Sequence, residues 1–177
     1  MVQKLTFLTE DLAVSDTPEQ QVLQQFHLEN SDLYTEPQRY SFQHRYFSTD
    51  RRDDAEQVAE RALSDDSLAG DPFMLQKQYA QRSQREVGDL FGRDFAAALA
   101  ALSSGQQWQG PLRSAYGWHV VRLTKVLSSR TRSFDETRDR VLADWQQAER
   151  KRANADYYQS LSERYDVRLP NPADTTL

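Results

Sequence analysis

The sequence predicts an α+β fold in which a small, largely antiparallel sheet is flanked by helical arms at both ends of the chain. The order of the segments supports this prediction, because it runs strand, helices, strand, turn and strand before a long helix. The length of 177 residues fits one domain with arms, and 11% aromatic residues argue against a disordered chain.

The composition excludes several classes of function. The absence of cysteine excludes disulfides, thiol catalysis, iron–sulfur clusters and thiolate zinc sites. A net charge of -5 argues against a general nucleic-acid binder. The three histidines do not have the H-E-x-x-H or H-x-x-x-H spacing, so no metal site is expected. No apolar run reaches the roughly 20 residues of a membrane span, and no signal peptide is visible.

The first segment, residues 1–36, is predicted to be an N-terminal helical arm. A helix over residues 2–14 carries three leucines on one face, and a second helix runs from the N-cap Thr17 to about residue 30. His27 is expected to be a solvated residue of this second helix. Because Met1 begins almost inside the first helical pattern, we expect the natural protein to continue upstream. The sequence leaves open whether that upstream part carries a membrane anchor.

The first strand of the sheet is predicted over residues 39–48, where side chains alternate between two faces. One face carries Tyr40, Phe42, His44 and Tyr46. A thin amphipathic helix follows over residues 53–63, and residues 64–72 form a polar turn region.

The middle of the chain is predicted to contain two short helices and a hairpin. A capping box at Ser83 starts the first helix, and residues 93–102 form the second. Residues 108–114 form a strand that contains Pro111, which is typical of an edge strand. Residues 118–127 form the strongest strand, rich in Val, Leu and Trp.

The last segment, residues 129–177, is predicted to be a C-terminal arm. A capping box at Ser133 opens a helix to about Arg164, roughly 48 Å long at 1.5 Å per residue. Its apolar stripe is expected to pack against the N-terminal helices and to bury Trp145. A short strand is expected over residues 166–170.

The stretch from Gly105 to Leu123 contains the most informative motif. It reads G-Q-Q-W-Q-G-P-L-R-S-A-Y-G-W-H-V-V-R-L and resembles the closing hairpin of the parvulins, the rotamase (PpiC-type) family of peptidyl-prolyl isomerases. The family's F-x-x-A helix is similar to Phe95–Ala98, and its first strand with a central histidine is similar to Tyr40–His44. Gly70-Asp71 resembles the start of its G-D-L-G turn. The resemblance implies a parvulin-like domain over residues 37–128.

The resemblance also implies a site. It places His44 and His119 on adjacent strands at the centre of the sheet, in a hydrogen-bonded network with a nearby aspartate. Asp66 is the expected aspartate, because the family has Cys or Asp just before its turn, and Asp65 is the rival. An apolar pocket for the proline ring is expected from four residues: Phe95, Phe91, Met74 and Tyr116.

The implied function is cis–trans isomerisation of X-Pro bonds in unfolded or extracytoplasmic polypeptide clients, weakly and without a cofactor. The alternative is a non-catalytic chaperone or assembly factor that binds such clients, and a third class is a structural dimerisation module built on the long helix. The retained histidines favour the enzyme. The single helix after the first strand and the lost Leu-Gly of the turn favour the alternative. By the same resemblance the protein is expected in the periplasm or attached to the inner membrane and facing the periplasm.

Overall fold

The computed structural model describes residues 18–164, which form two compact units. Residues 35–131 contain the main sheet and are called the sheet unit here. Residues 18–34 and 132–164 form the helical unit. None of the helices in the described part of the chain combines the length and the apolar character that a membrane crossing requires.

The described residues contain five α-helices, one 3-10 helix and six strands. They are α1 (Gln20–Glu29), a 3-10 helix (Ser31–Tyr34), β1 (Thr35–Glu36), β2 (Arg39–Ser48), α2 (Ala55–Arg61), β3 (Gln78–Ser83), α3 (Gln84–Phe91), α4 (Arg93–Ala100), β4 (Gln109–Ser114), β5 (Gly117–Leu127), β6 (Arg130–Thr131) and α5 (Phe134–Arg164). The main sheet has the order β3-β2-β5-β4, and every neighbouring pair is antiparallel. β1 and β6 form a separate antiparallel pair.

The two central strands, β2 and β5, set which side chains share a face. Tyr46 lies opposite His119, and His44 lies opposite Val121. Because side chains alternate along a strand, this register puts both histidines on one face of the sheet. Phe47 and Val120 point to the other face.

Each face of the sheet is covered by different helices. α3 and α4 cover the histidine face with buried side chains that include Val87, Phe91, Phe95 and Leu99. α2 covers the opposite face through Ala55, Val58 and Ala59, together with Ala62. Two separate apolar clusters therefore sandwich the sheet, and the histidines lie within the first of them.

The helical unit has a core of its own. Leu23 of α1, Tyr34 and Val141 of α5 are buried, with exposed fractions of 4%, 2% and 0%. Trp145 packs against this cluster but is only partly buried. His27 is buried as well, contrary to the expectation from the sequence, because its Nε2 lies 2.9 Å from the Arg132 carbonyl and its ring stacks on Tyr34.

The α+β fold class with a small antiparallel sheet is confirmed, and so are both capping boxes, at Ser83 and Ser133. Pro111 lies in β4, an edge strand, as predicted. The sequence did not reveal β3, because this edge strand buries only Tyr79 and has no apolar alternation. The segments predicted over residues 2–14 and 166–170 lie outside the described residues.

The core of the helical unit generates a stability prediction. Leu23→Ala removes a buried side chain and should lower the free energy of unfolding by about 3 kcal/mol. The matched control, Leu28→Ala on the same helix, changes a side chain that is 68% exposed and should alter it by less than about 0.5 kcal/mol. Urea unfolding followed by circular dichroism measures both, and equal midpoints for the two variants would contradict this description of the core.

Candidate active site

Two buried histidines meet at the centre of the sheet. Nδ1 of His44 lies 3.0 Å from Nδ1 of His119, and the ring centroids are 5.0 Å apart. His44 is 4% exposed and His119 is 0% exposed. The register explains the contact, because β5 places His119 opposite Tyr46, one same-face position along β2 from His44.

The hydrogen-bond partners determine which ring nitrogens carry the protons. Nε2 of His44 lies 2.9 Å from the Gln76 carbonyl oxygen, which can only accept, so Nε2 donates. In a neutral ring the Nδ1 of His44 then accepts, and the Nδ1–H of His119 donates to it. Nε2 of His119 is left as an acceptor for the hydroxyl of Ser114 at 2.8 Å. The Tyr116 N–H donates to Ser114 Oγ and completes the chain.

Both imidazoles are neutral at physiological pH. Burial lowers the pKa of His44, partly opposed by the hydrogen bond to the Gln76 carbonyl. Burial, with a smaller effect from neighbouring His44, lowers the pKa of His119 to about 3. A Ser–His contact occurs in hydrolases, but a histidine with so low a pKa is too weak a base to activate Ser114 at neutral pH. The network is therefore suited to shaping a site without charge.

Aromatic rings surround the histidine pair. Phe91 and Phe95 stack on each other at 4.6 Å and meet the His119 ring edge-on at 5.5 Å and 5.3 Å. Both are buried, with 0% and 1% exposed. Phe73 lies beside Phe91, with 6.0 Å between the ring centroids, and its ring is 5.1 Å from His44, 5.4 Å from His119 and 5.4 Å from Tyr116. Phe73 and Tyr116 are only partly buried, so these two rings form the solvent side of the site.

Phe73 is a site residue that the sequence did not reveal, although it lies only two residues after Asp71 of the recognised Gly70-Asp71 turn. Gly70 has a φ of +82°, and a Cβ there would lie 2.8 Å from the Tyr46 carbonyl oxygen, so only glycine lets the segment approach β2 so closely. Asp71 then donates its N–H to Tyr46 and accepts from the Ser48 N–H at 2.8 Å and from Arg52. These contacts hold Phe73 over the histidines.

The structure does not place Asp66 with the histidines. Its carboxylate accepts from Arg45 at 2.7 Å and from the Trp108 indole at 3.2 Å, and it is 81% exposed. Arg45 and His44 are consecutive on β2, so their side chains point to opposite faces, and Asp66 follows Arg45 to the far face. Asp65 is no substitute, since it accepts hydrogen bonds from Ser67 in an exposed turn.

The other predicted site residues divide into two groups. Phe91 and Phe95 contact the ring of His119. Tyr116 lies at the edge of the network, and the Tyr116 carbonyl accepts a hydrogen bond from the Tyr46 hydroxyl at 2.7 Å. Met74 is 81% exposed and makes no part of the aromatic shell, because Phe73, the preceding residue, is the one that turns inward.

Comparison with known proteins points to one family. Residues 18–139 match the family model of the PPIC-type PPIase domain. No curated protein matches the chain.

Solved structures resemble this chain to different degrees, and the first one described here shares its fold. A chain from the work on PEB4 and Cj1289, two SurA-like chaperones of Campylobacter jejuni, has a TM-score of 0.62 and 16% identity over 96% of this chain and 71% of its own. PrsA from Bacillus subtilis matches with a TM-score of 0.34 and 12% identity over 95% of this chain and 64% of its own. Peptidylprolyl isomerase (PrsA) from Bacillus cereus matches with a TM-score of 0.39 and 14% identity, over 96% and 63%.

The proton arrangement in the network can be tested directly. Long-range ¹H–¹⁵N spectra near neutral pH should show His119 as the Nδ1–H tautomer and His44 as the Nε2–H tautomer, because the Gln76 carbonyl accepts only. An Nε2–H tautomer at His119, or an imidazolium form of either ring, would contradict the assignment.

The same network predicts a pH-dependent stability. The lowered pKa of His119 means that the unfolded chain binds a proton there, between pH 6.5 and about 3, that the folded chain does not. The free energy of unfolding should therefore fall as the pH falls, with His119 contributing up to about 1.4 kcal/mol per pH unit. The lowered pKa of His44 adds to this fall. Urea unfolding at about pH 6.5 and about pH 5 measures this slope. Both pH values lie above the range in which Glu86 affects stability, because folding lowers the pKa of Glu86 from 4.5 to about 2.

His119→Gln is the control for this slope, since it removes the titrating group from the same position. The variant should show a shallower fall in stability between the two pH values, whatever its absolute stability. A slope equal to that of the wild type would mean that His119 does not titrate as described.

Proposed function

This chain belongs to the PPIC-type PPIase domain family, and from that premise we propose that it catalyses cis–trans isomerisation of X-Pro bonds in polypeptide clients. The observation that carries the proposal is the neutral, fully hydrogen-bonded pair of His44 and His119 inside an aromatic shell. We propose these two histidines, with Ser114, as the network that shapes the catalytic site.

The chemistry of isomerisation fits an uncharged site. An X-Pro bond has a small trans preference and a barrier of about 18–20 kcal/mol that arises from amide resonance. An isomerase needs no covalent step and must bind the twisted amide more tightly than either planar form. Apolar surroundings help, because they solvate the more polar planar amide poorly, and aromatic rings grip the proline ring.

We propose different roles in binding the proline ring for the exposed and for the buried aromatic residues. Phe73 and Tyr116 are partly exposed and are proposed to touch the proline ring directly. Phe91 and Phe95 are proposed to form the floor of the pocket beneath them. Asp66 has no place in this proposal, because its partners are Arg45 and Trp108 on the far face of the sheet.

A second candidate function is binding of client polypeptides without catalysis. The specific observation that favours it is the sealing of the site, since His119, Phe91 and Phe95 expose 0%, 0% and 1% of their surface. A client polypeptide would then contact only the outer rings, Phe73 and Tyr116, as its binding surface. The Campylobacter jejuni proteins with this fold are described as SurA-like chaperones. For both candidates we propose a periplasmic or otherwise extracytoplasmic location, with unfolded or proline-containing polypeptides as partners.

The proposal predicts weak but measurable activity that depends on Phe73. NMR exchange spectroscopy on a short X-Pro peptide should show acceleration by the wild type. Phe73→Ala should lower kcat/KM about tenfold or more, because burying such a side chain against a ligand is worth about 1.5–3 kcal/mol. Leu33→Ala, which changes a 52% exposed side chain in the helical unit, is the control and should keep the wild-type rate.

A second pair of variants distinguishes the contribution of the aromatic pocket floor from that of the histidine network. Phe95→Ala should lower the rate more than His119→Ala, since the phenyl ring supports the pocket while the histidine mainly organises it, and circular dichroism checks that both variants fold. Folded wild type that leaves the exchange rate unchanged would exclude catalysis and favour the client-binding function. Full activity in folded Phe73→Ala would place the proline pocket elsewhere.

A further inference from the structure

Tyr46 of β2 contacts both of the residues that carry the partly exposed rings of the site. The centroid of its ring is 4.7 Å from that of Phe73 and 5.2 Å from that of His119. Its hydroxyl donates to the Tyr116 carbonyl oxygen at 2.7 Å. A single side chain therefore reaches Phe73 through its ring and Tyr116 through its hydroxyl group.

The backbone of Tyr46 also contacts the segment that leads to Phe73. The Asp71 N–H donates to the Tyr46 carbonyl oxygen. A Cβ at Gly70 would lie 2.8 Å from the same oxygen and 3.1 Å from the Tyr46 nitrogen, so the two chains pass in close contact there. The position of Phe73 therefore depends on Tyr46 through the backbone as well as through the ring.

The turn that carries Tyr116 is held at both of its backbone polar groups. The Tyr116 N–H donates to Ser114 Oγ at 3.0 Å, while the Tyr116 carbonyl accepts from Tyr46. The next residue, Gly117, has a φ of +144°, and a Cβ there would lie 3.1 Å from Cε2 of the Tyr46 ring. In this arrangement the Tyr116 ring meets the Phe73 ring edge-on at 5.4 Å.

From these contacts we infer that Tyr46 is a positioning residue for proline binding, and that its hydroxyl fixes Tyr116 so that the rings of Tyr116 and Phe73 form one binding surface. A surface that is fixed before a client arrives loses less conformational freedom on binding. The inference rests on the proposed function, since it takes these two rings as the surface that touches the proline. Tyr46 acts through them and touches no reacting atom.

The hydroxyl should affect binding of the client more than the rate of the bound client. The proline ring is held in the cis, trans and twisted forms alike, so a displaced ring surface removes binding that is uniform along the reaction. Tyr46→Phe keeps the phenyl ring beside Phe73 and His119 and removes only the hydrogen bond to Tyr116. We expect this variant to raise both KM and Kd about three- to tenfold and to leave kcat within about twofold of the wild type.

The experiment uses the full chain and one acetylated peptide, Ala-Ala-Pro-Phe. NMR titration gives Kd, exchange spectroscopy at several peptide concentrations gives KM and kcat, and circular dichroism checks that each variant folds. Tyr40→Phe is the matched control, because it removes the same hydroxyl from the same face of β2, about 20 Å along the strand from Tyr46. Tyr40 is 3% exposed in the apolar cluster, and its variant should keep all three constants.

A double-mutant cycle tests whether Tyr46 acts through Tyr116. Tyr116→Ala removes the ring that the hydroxyl is inferred to position. In this background Tyr46→Phe should change Kd by less than about twofold, because two changes that act on one contact are not additive. A general loosening of the sheet would instead weaken binding equally in both backgrounds.

The outcomes separate this inference from the isomerase proposal. Weaker binding by Tyr46→Phe, without acceleration even by the wild type, would support the positioning role and overturn catalysis. Acceleration by the wild type, with KM and Kd unchanged in folded Tyr46→Phe, would overturn the positioning role alone. The same holds if kcat falls while KM stays constant, or if Tyr46→Phe has an equal effect in both backgrounds. A wild type that neither binds nor accelerates the peptide would overturn both.

Discussion

The hydrogen bond between His44 and His119 is the constraint on which the rest of the sheet unit depends. Two imidazoles in a dry core are tolerated only when all four ring nitrogens have partners, because an unpaired buried polar group costs about 1–3 kcal/mol. Their outer nitrogens are therefore tied to Gln76 on one side and Ser114 on the other. Those two contacts hold the segment that precedes β3 and the end of β4 against the central strands.

The need to exclude water from this pair explains the aromatic shell. Neutral imidazole is favoured by burial, and the contiguous rings of Phe73, Phe91 and Phe95 provide that burial. The cost is restricted access, since the network lies beneath rings that a substrate would meet first. Phe73 and Tyr116 are partly exposed, so they are the rings of the site that solvent reaches without unfolding of the core.

The two faces of the sheet have separate tasks. The histidine face carries the candidate site. Side chains on the opposite face bind the loop before Gly70 to the strands. There the guanidinium groups of Arg45 and Arg122 lie over the Trp108 ring, at 4.2 Å and 4.4 Å from its centroid, and both Trp108 and Arg45 donate to Asp66. Asp66 therefore contributes to anchoring the loop, and its position follows from the alternation of β2.

The sequence by itself determined most of the helices and strands and the two faces of β2, because these depend on local periodicity and on capping groups; β3, which has no apolar alternation, was the exception. The resemblance of two motifs to the parvulins was the basis for predicting His44 and His119 on adjacent strands, and the capping boxes at Ser83 and Ser133 located two helix starts. The path of the segment around residues 64–77 was decided only by tertiary contacts. Whether Phe73 or Met74 turns inward, and which aspartate anchors the loop, depends on the close approach of Gly70 to Tyr46, and no local pattern encodes an approach between residues so far apart in the chain.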